Sequence, residues 1–246
     1  MNIKTFFPWL SACALLLGLV PLSGQMAPGV YMAETGGIQH EIKTNGDYFI
    51  YSAYKTETPE FLRTLGGFSK VEDTFGGPKL IVLLEFNSDY EKDALRQLSI
   101  PISVNGDMLE LDWFEKLRFT KQEENTQDLD GAWLFATRGP DEGQDRRGDA
   151  NTRKTLKYLQ DGRFQWVAYD TEGFKFMGTG GGAYGAQDGT YTEHIGYFSR
   201  DNSRVGASLS FDYEVKGADW HHKGNNSRGE PMYEIWSKRY GAQKAP

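Results

Sequence analysis

The residues from Gly180 to Gly185 read GGGAYG, which spells the GxGxxG pattern of a dinucleotide-binding loop. Such a loop needs a strand before it and a helix after it. Here an Asp-Gly turn at Asp188 and Gly189 follows, and then a second strand pattern. We therefore interpret these glycines as bends or bulges that let a small sheet curve, and we predict no cofactor.

Two adjacent histidines, His221 and His222, suggest a metal site together with His194, Asp219 and Glu193. Neighbouring residues of a strand point to opposite faces, so these two imidazoles cannot bind one ion from a regular strand. No Cys follows position 13, and no two histidines have the helical spacing of a zinc site. We predict no metal.

Hydrolytic chemistry has little support, because the chain lacks a GxSxG motif and Ser208 and Ser210 fall on the solvent face of their strand pattern. The remaining enzymatic option is a carboxylate–His acid/base pair, with Glu193, His194 and Glu234 as candidates. The alternative is that Glu234 forms a structural ion pair with Arg204, since a buried acid needs a partner. We favour that alternative and assign no catalytic residue.

The N-terminus has the three parts of a secretory signal peptide: the positive Lys4, an apolar run from Leu10 to Val20, and a small-residue exit ending at Gly24. We therefore predict cleavage after residues 1–24 and an exported, periplasmic or extracellular protein. A buried N-terminal helix is the alternative. The tetrapeptide ending at Cys13 also resembles a lipoprotein cleavage box. However, most of the apolar run follows Cys13, so lipid anchoring is the lesser option.

Charge and composition exclude several classes of protein. Loss of Lys4 with the signal peptide changes the formal net charge from −7 to −8, and no dense basic stretch remains, which disfavours nucleic-acid binding. No second apolar run is long enough to span a membrane. Because Cys13 is the only Cys, stability after cleavage must come from burial rather than from disulfides.

The 29 glycines, the 14% of aromatic residues and the repeated Asn-Gly and Asp-Gly pairs are typical of short strands joined by tight turns. The sequence also repeats internally, in a constant order and with a slowly drifting offset. The matching segments are Asn45–Tyr51 with Asp161–Val167, Phe61–Gly67 with Phe176–Gly182, Gly77–Phe86 with Gly189–Phe198, Leu98–Gly106 with Leu209–Gly217, and Trp113–Glu115 with Met232–Glu234.

Each copy contains about eight strand patterns, the number of a small closed barrel. We predict an all-β protein with two tandem antiparallel barrels, at residues 26–122 and 129–240, joined by a polar link near 121–130. In copy two the strands are expected near 131–137, 153–159, 163–170, 173–184, 190–199, 204–215, 217–223 and 231–239. The mixed-charge loop 138–152 has no counterpart in copy one. Ser88 and Glu91 have capping-box spacing, which predicts a short helix over residues 88–98.

The segment Gly131-Ala132-Trp133 and a last strand that carries Arg239 resemble the lipocalin and calycin signature. The resemblance implies that Arg239 packs over the indole of Trp133 by a cation–π contact. Three further segments are similar to the uncharacterised secreted lipocalin-like proteins of Bacteroidetes: Gly178–Gly182, Ser199–Phe211 and Pro231–Trp236. That family implies a fold and a location, and no reaction. In copy one, Gly29-Val30-Tyr31 stands where the Gly-x-Trp segment is expected, and Arg118 lies only approximately where the basic residue is expected. We therefore do not expect the two copies to have the same function.

Aromatic residues are numerous enough in copy two to fill a barrel or to line a cavity. We predict that the C-terminal barrel binds a small, partly apolar ligand; the alternative is a filled barrel with a structural or protein-interaction role. Strand alternation places Tyr191, Glu193 and Tyr197 on one face. The ligand-binding residues we predict are Trp166, Tyr191, Glu193, Tyr197, Tyr233 and Trp236. Ligand identity and oligomeric state remain open.

Overall fold

The computed structural model describes residues 26–113, 115–226 and 228–240. The predicted signal peptide, residues 1–24, and its Cys13 lie outside the described residues. Over the described ranges, no helix has the length and apolar character needed to cross a membrane.

The first eight strands form a closed antiparallel barrel, barrel 1, in which each strand pairs with the next and the first pairs with the last. These strands are β1 (Gly29–Thr35), β2 (Ile38–Thr44), β3 (Tyr48–Lys55), β4 (Glu60–Thr74), β5 (Gly77–Asn87), β6 (Gln97–Asn105), β7 (Met108–Asp112) and β8 (Lys116–Lys121).

The next eight strands form a second closed antiparallel barrel, barrel 2, with the same order of pairing. They are β9 (Gly131–Arg138), β10 (Arg153–Gln160), β11 (Arg163–Asp170), β12 (Lys175–Gln187), β13 (Thr190–Phe198), β14 (Ser208–Lys216), β15 (Asp219–Asn225) and β16 (Pro231–Arg239). The predicted fold class, two tandem antiparallel barrels, is confirmed.

Two local predictions are wrong. The helix expected over residues 88–98 is a single turn, α1 (Tyr90–Asp93); the Ser88 hydroxyl accepts the Thr64 N–H at 2.9 Å instead of capping it. Likewise β14 begins at Ser208 and not near residue 204. The Asp201 carboxylate accepts the Ser203 N–H, which stabilises a 3₁₀ turn over Asn202–Arg204.

Both barrels contain a β-bulge at the same place. The pairing of β4 with β5 shifts between Gly66 and Gly67, and the pairing of β12 with β13 shifts between Gly181 and Gly182. A Cβ atom on Gly182 would overlap the carbonyl oxygen of His194, so the backbones approach too closely for any side chain. The glycine run is therefore structural, as its sequence context predicts.

The bulges also fix how the two copies align. Leu84 and Phe86 pair with the bulge glycines of barrel 1, and Ile195 and Tyr197 pair with those of barrel 2. Phe86 is thus equivalent to Tyr197, whereas the sequence match paired it with Phe198. In a strand, a shift of one residue moves a side chain to the opposite face.

The barrels pack against each other through an apolar cluster, built by Tyr48, Ile50 and Phe86 of barrel 1 and by Leu134, Leu156, Tyr158, Val167 and Tyr169 of barrel 2. Buried polar groups cross the same interface. The Gln165 amide bonds Ser52 and Thr64, each at 2.9 Å, and Arg163 forms an ion pair with Glu41 at 2.6 Å. The outer faces of β3 and β11 are therefore as buried as their inner faces.

Candidate functional site

Barrel 2 encloses a cavity of about 360 Å³. Ligand sites in proteins usually have volumes of roughly 300–1,000 Å³ and combine apolar walls with a few polar groups. Most of the wall is aromatic or aliphatic, supplied by Trp166, Ile195, Phe198, Ala207, Leu209, Phe211, Met232 and Trp236. The polar lining comes from Thr155, Lys157, Glu193, Arg204, His222, Asn226 and Glu234.

The strand register shows why the interiors of the two barrels differ. Ile42 pairs with Tyr31 and Tyr51, just as Lys157 pairs with Trp133 and Trp166. The same comparison matches four polar cavity residues of barrel 2 with buried aliphatic residues of barrel 1. The equivalent pairs are Lys157 with Ile42, Glu193 with Val82, His222 with Leu111, and Glu234 with Leu117. At these four positions barrel 1 therefore has apolar side chains where barrel 2 has polar groups.

An ion pair forms one wall of the cavity. The Lys157 ammonium donates to Glu193 Oε1 at 2.8 Å, and the Tyr191 hydroxyl donates to the same oxygen at 2.9 Å. The ammonium also lies 5.0 Å from the ring centres of Tyr191 and Trp220, and 5.1 Å from that of Trp236. Burial, and then the charge of Glu193, hold the pKa of Tyr191 well above its usual value, so this hydroxyl stays a donor.

His222, which the sequence analysis considered only as a metal ligand, is a functional candidate of the cavity. Its side chain is 1% exposed, and neither ring nitrogen has a hydrogen-bond partner among the described residues. Its Nδ1 lies 3.8 Å from Glu234 Oε2, which in turn accepts the Trp236 indole N–H at 3.1 Å. Burial, reinforced by the Lys157 charge, lowers the pKa of His222 far below its usual value, so the imidazole is neutral.

A signal for His222 exists in the sequence, because it lies two residues after Trp220 and strand alternation puts both on one face. His221, between them, points outward and bonds the Tyr233 hydroxyl at 2.8 Å. His194, the predicted acid/base partner, is also on the outside, where it bonds Ser208 at 2.7 Å. A histidine therefore faces the cavity, but it is His222.

Three of the six predicted ligand-binding residues line the cavity: Trp166, Glu193 and Trp236. Tyr191 is fully buried behind the wall, where its hydroxyl bonds Glu193. Tyr233 lies outside the barrel, packed over the backbone of Gly139.

Tyr197 lies in the barrel–barrel interface, stacked 4.5 Å from Tyr54. The alternation that places Tyr191 and Glu193 inside does not extend to Tyr197. The bulge opposite Gly181 and Gly182 inserts Gly196 as an extra residue. Tyr197 therefore points out of the barrel, and Phe198 points into the cavity.

The expected contact between Arg239 and Trp133 is wrong. The cation over Trp133 is the Lys238 ammonium, 5.1 Å from the ring centre, and the indole N–H donates to the Leu129 carbonyl at 2.8 Å. Arg239 is one residue further along β16, so it points to the opposite face and pairs with Glu85 of barrel 1 at 2.7 Å.

The hydrogen bond of the Trp133 indole at the end of barrel 2 has a counterpart in barrel 1. The Tyr31 hydroxyl donates to the carbonyl of Ala27, four residues earlier, just as Trp133 does to Leu129. The structure thus keeps the expected arrangement of an aromatic residue beneath a basic one, with Lys238 as the basic residue.

No family model and no curated protein matches the chain. Proposals about its function therefore depend on the fold and on the cavity.

Proposed function

We propose that this chain is an exported small-molecule-binding protein whose C-terminal barrel holds a small, partly apolar ligand. One observation supports this above the others: at four interior positions where barrel 1 has buried aliphatic residues, barrel 2 has polar residues, and these line a cavity of about 360 Å³. A barrel interior built only for stability needs neither the volume nor the polar groups, because burying charge costs free energy unless it is compensated.

The walls indicate the shape of the ligand. Trp166, Phe198 and Phe211 present aromatic surface, which favours an aromatic or otherwise flat apolar body. The Lys157–Glu193 pair is internally satisfied and offers little to a ligand. His222, whose ring nitrogens have no hydrogen-bond partner among the described residues, and Glu234 are the lining groups best placed to orient a polar substituent.

The test uses N-phenyl-1-naphthylamine, an uncharged dye whose fluorescence rises in apolar surroundings. We expect saturable binding of one dye molecule per chain, with quenching of tryptophan emission. Ala207 lines the cavity yet is exposed, so Ala207→Phe should occupy the cavity without disturbing the core. Ala218→Phe is the matched control, because Ala218 is equally exposed but lies in the β14–β15 turn.

Occupying the cavity with a phenyl ring should weaken dye binding at least about ten-fold, since the dye then loses most of its apolar contact area. Trp166→Ala should also weaken it, through loss of one aromatic wall. No saturable binding by the wild type, or equal binding by wild type and Ala207→Phe, would contradict the proposal.

Acid/base catalysis is a second candidate, favoured by the convergence of His222 and Glu234 on the cavity, 3.8 Å apart. A neutral imidazole can accept a proton from a water molecule as that water attacks the carbonyl carbon of a bound ester. An arene ester such as 1-naphthyl acetate tests this candidate. Catalysis would be supported if the wild type hydrolyses the ester and His222→Gln abolishes this turnover while it still binds the dye. If the wild type shows no turnover, ligand binding is the only proposed function that stands.

We also propose that the chain is related to the secreted lipocalin-like proteins of Bacteroidetes. Its eight-stranded barrels, and the Lys238 ammonium over Trp133 at the start of β9, support this. Export is tested by the intact mass of the secreted product, which should begin near Gln25. A diacylated product that begins at Cys13 would show lipid anchoring instead, and an uncleaved chain would contradict export.

A further inference from the structure

A second, more polar cleft of about 500 Å³ adjoins the cavity. It lies beneath the loop 138–152, the insertion that barrel 1 lacks. Thr155, Glu234 and Trp236 contribute to the walls of both spaces. A molecule seated in the barrel cavity would therefore reach the cleft with any group that extends past these three side chains.

Arg147 is one of two arginines that line this cleft, and the position of its guanidinium is fixed by a ring contact. Its guanidinium carbon lies 4.5 Å from the ring centre of Phe135, and its backbone N–H bonds the Ala136 carbonyl at 2.8 Å. Within the described residues this guanidinium forms no ion pair. Stacking on a ring leaves the N–H edges of a guanidinium free, and those edges match the two oxygens of an acidic group.

The loop is anchored by the neighbouring arginine. Arg146 bonds Asp141 at 2.8 Å, Asp219 at 2.7 Å and the Ser237 hydroxyl at 2.8 Å. Arg146 is therefore committed to the structure of the loop. Arg147, held in place by the same anchor, is left facing the cleft.

The charges that line the cleft are mixed and equal in number. Arg138 and Arg147 line it together with Asp145 and Glu234. Burial lowers the pKa of Arg147, and the nearby positive charge of Arg153 lowers it further, whereas Glu234 acts in the opposite direction. An anion in the cleft is therefore favoured by the guanidinium of Arg147, which forms no ion pair within the described residues, and not by an excess of positive charge.

We propose that the ligand is an acidic amphiphile: its flat apolar body occupies the barrel cavity and its carboxylate or sulfonate group lies in the cleft against Arg147. This inference rests on the proposed binding function and adds the charge of the ligand.

Two dyes with the same ring skeleton test the inference. 1-Anilinonaphthalene-8-sulfonate is N-phenyl-1-naphthylamine with one added sulfonate. The wild type should bind the sulfonate at least about ten-fold more tightly, the ratio expected for one charge-assisted contact. Arg147→Gln should remove this ratio and leave the affinity for the uncharged dye unchanged. Added salt should weaken binding of the sulfonate only.

Arg96→Gln is the matched control, because Arg96 is also stacked on a phenyl ring, 4.6 Å from that of Phe174, but it belongs to barrel 1 and lines neither the cavity nor the cleft. It should keep the wild-type ratio. If the uncharged dye binds and the sulfonate binds no more tightly, or if Arg147→Gln keeps the ratio, the ligand is not acidic and the binding function still stands. If neither dye binds, the proposed function itself fails.

Discussion

Replacing Arg239 by Ala should destabilise the whole protein, because this side chain joins the two barrels. Its guanidinium donates to both oxygens of Glu85, at 2.7 and 2.9 Å, and lies 4.9 Å from the ring centre of Phe68. Glu85 also accepts the hydroxyls of Tyr48 and Tyr169, at 2.7 and 3.1 Å. The variant would leave a buried carboxylate with two neutral donors and without its main countercharge.

The size of the expected loss in unfolding free energy follows from the burial of this ion pair. The side chains of Arg239 and Glu85 are 5% and 10% exposed, so solvent screens the pair only weakly. Burial alone would raise the pKa of Glu85, but the hydrogen bonds and charge of Arg239 outweigh burial and hold it below its usual value. Breaking a buried ion pair costs about 3–5 kcal/mol. Because Lys154 lies 3.8 Å from the same carboxylate, we expect about 3 kcal/mol.

The assay is urea unfolding of Arg239→Ala, Glu85→Gln and the double variant. The double variant should recover at least about 1.5 kcal/mol relative to additivity, because it removes the stranded charge together with its partner. Arg118→Ala is the control: that residue is 74% exposed and pairs with Glu110 on the surface, so it should cost about 0.5 kcal/mol. A loss below about 1 kcal/mol for Arg239→Ala, or strict additivity, would refute the reasoning.

Three further predictions concern the same fold. Burial alone would raise the pKa of Glu41, but Arg163 and Lys43 outweigh it and lower the pKa to about 2. The protein should therefore lose about 3 kcal/mol of unfolding free energy as the pH falls from about 4.5 to about 2, and Glu41→Gln should flatten this slope in urea unfolding. The fragment 129–246 should unfold at lower urea than the full chain, because the interface cluster becomes exposed; equal midpoints would contradict this. Gly182→Ala should cost at least about 2 kcal/mol in thermal unfolding through backbone overlap, while Gly185→Ala, with open space around it, should be nearly neutral.

The strands of barrel 2 were predictable to within a few residues at most of their ends, because alternation and turn residues are local signals. Glu193 was predictable as lying on the same face as Tyr191 for the same reason. Tyr197 was not. Its orientation depends on the single extra residue of a bulge, and whether Gly196 is that residue is decided by the pairing with β12.

The basic residue that lies over Trp133 could not be identified from the sequence either. The sequence predicted a basic residue over Trp133 and offered Arg239 for the role, with Lys238 directly before it. The pairing of β16 with β9 selects Lys238, and the presence of Glu85 on barrel 1 gives Arg239 a different partner. Neither the register nor the partner can be read from residue types along one strand.

The sequence by itself determined the fold class and the number of strands, since each depends on patterns within a few neighbouring residues. It also determined the division into two copies, since matching segments recur in the same order. Only the tertiary structure decided which face of a strand lines the cavity. Both faces of β11 are buried: Trp166 lines the cavity, whereas Val167 and Tyr169 pack against barrel 1. Hydrophobicity reports burial but not what a side chain is buried against, and that depends on how the two closed barrels pack together.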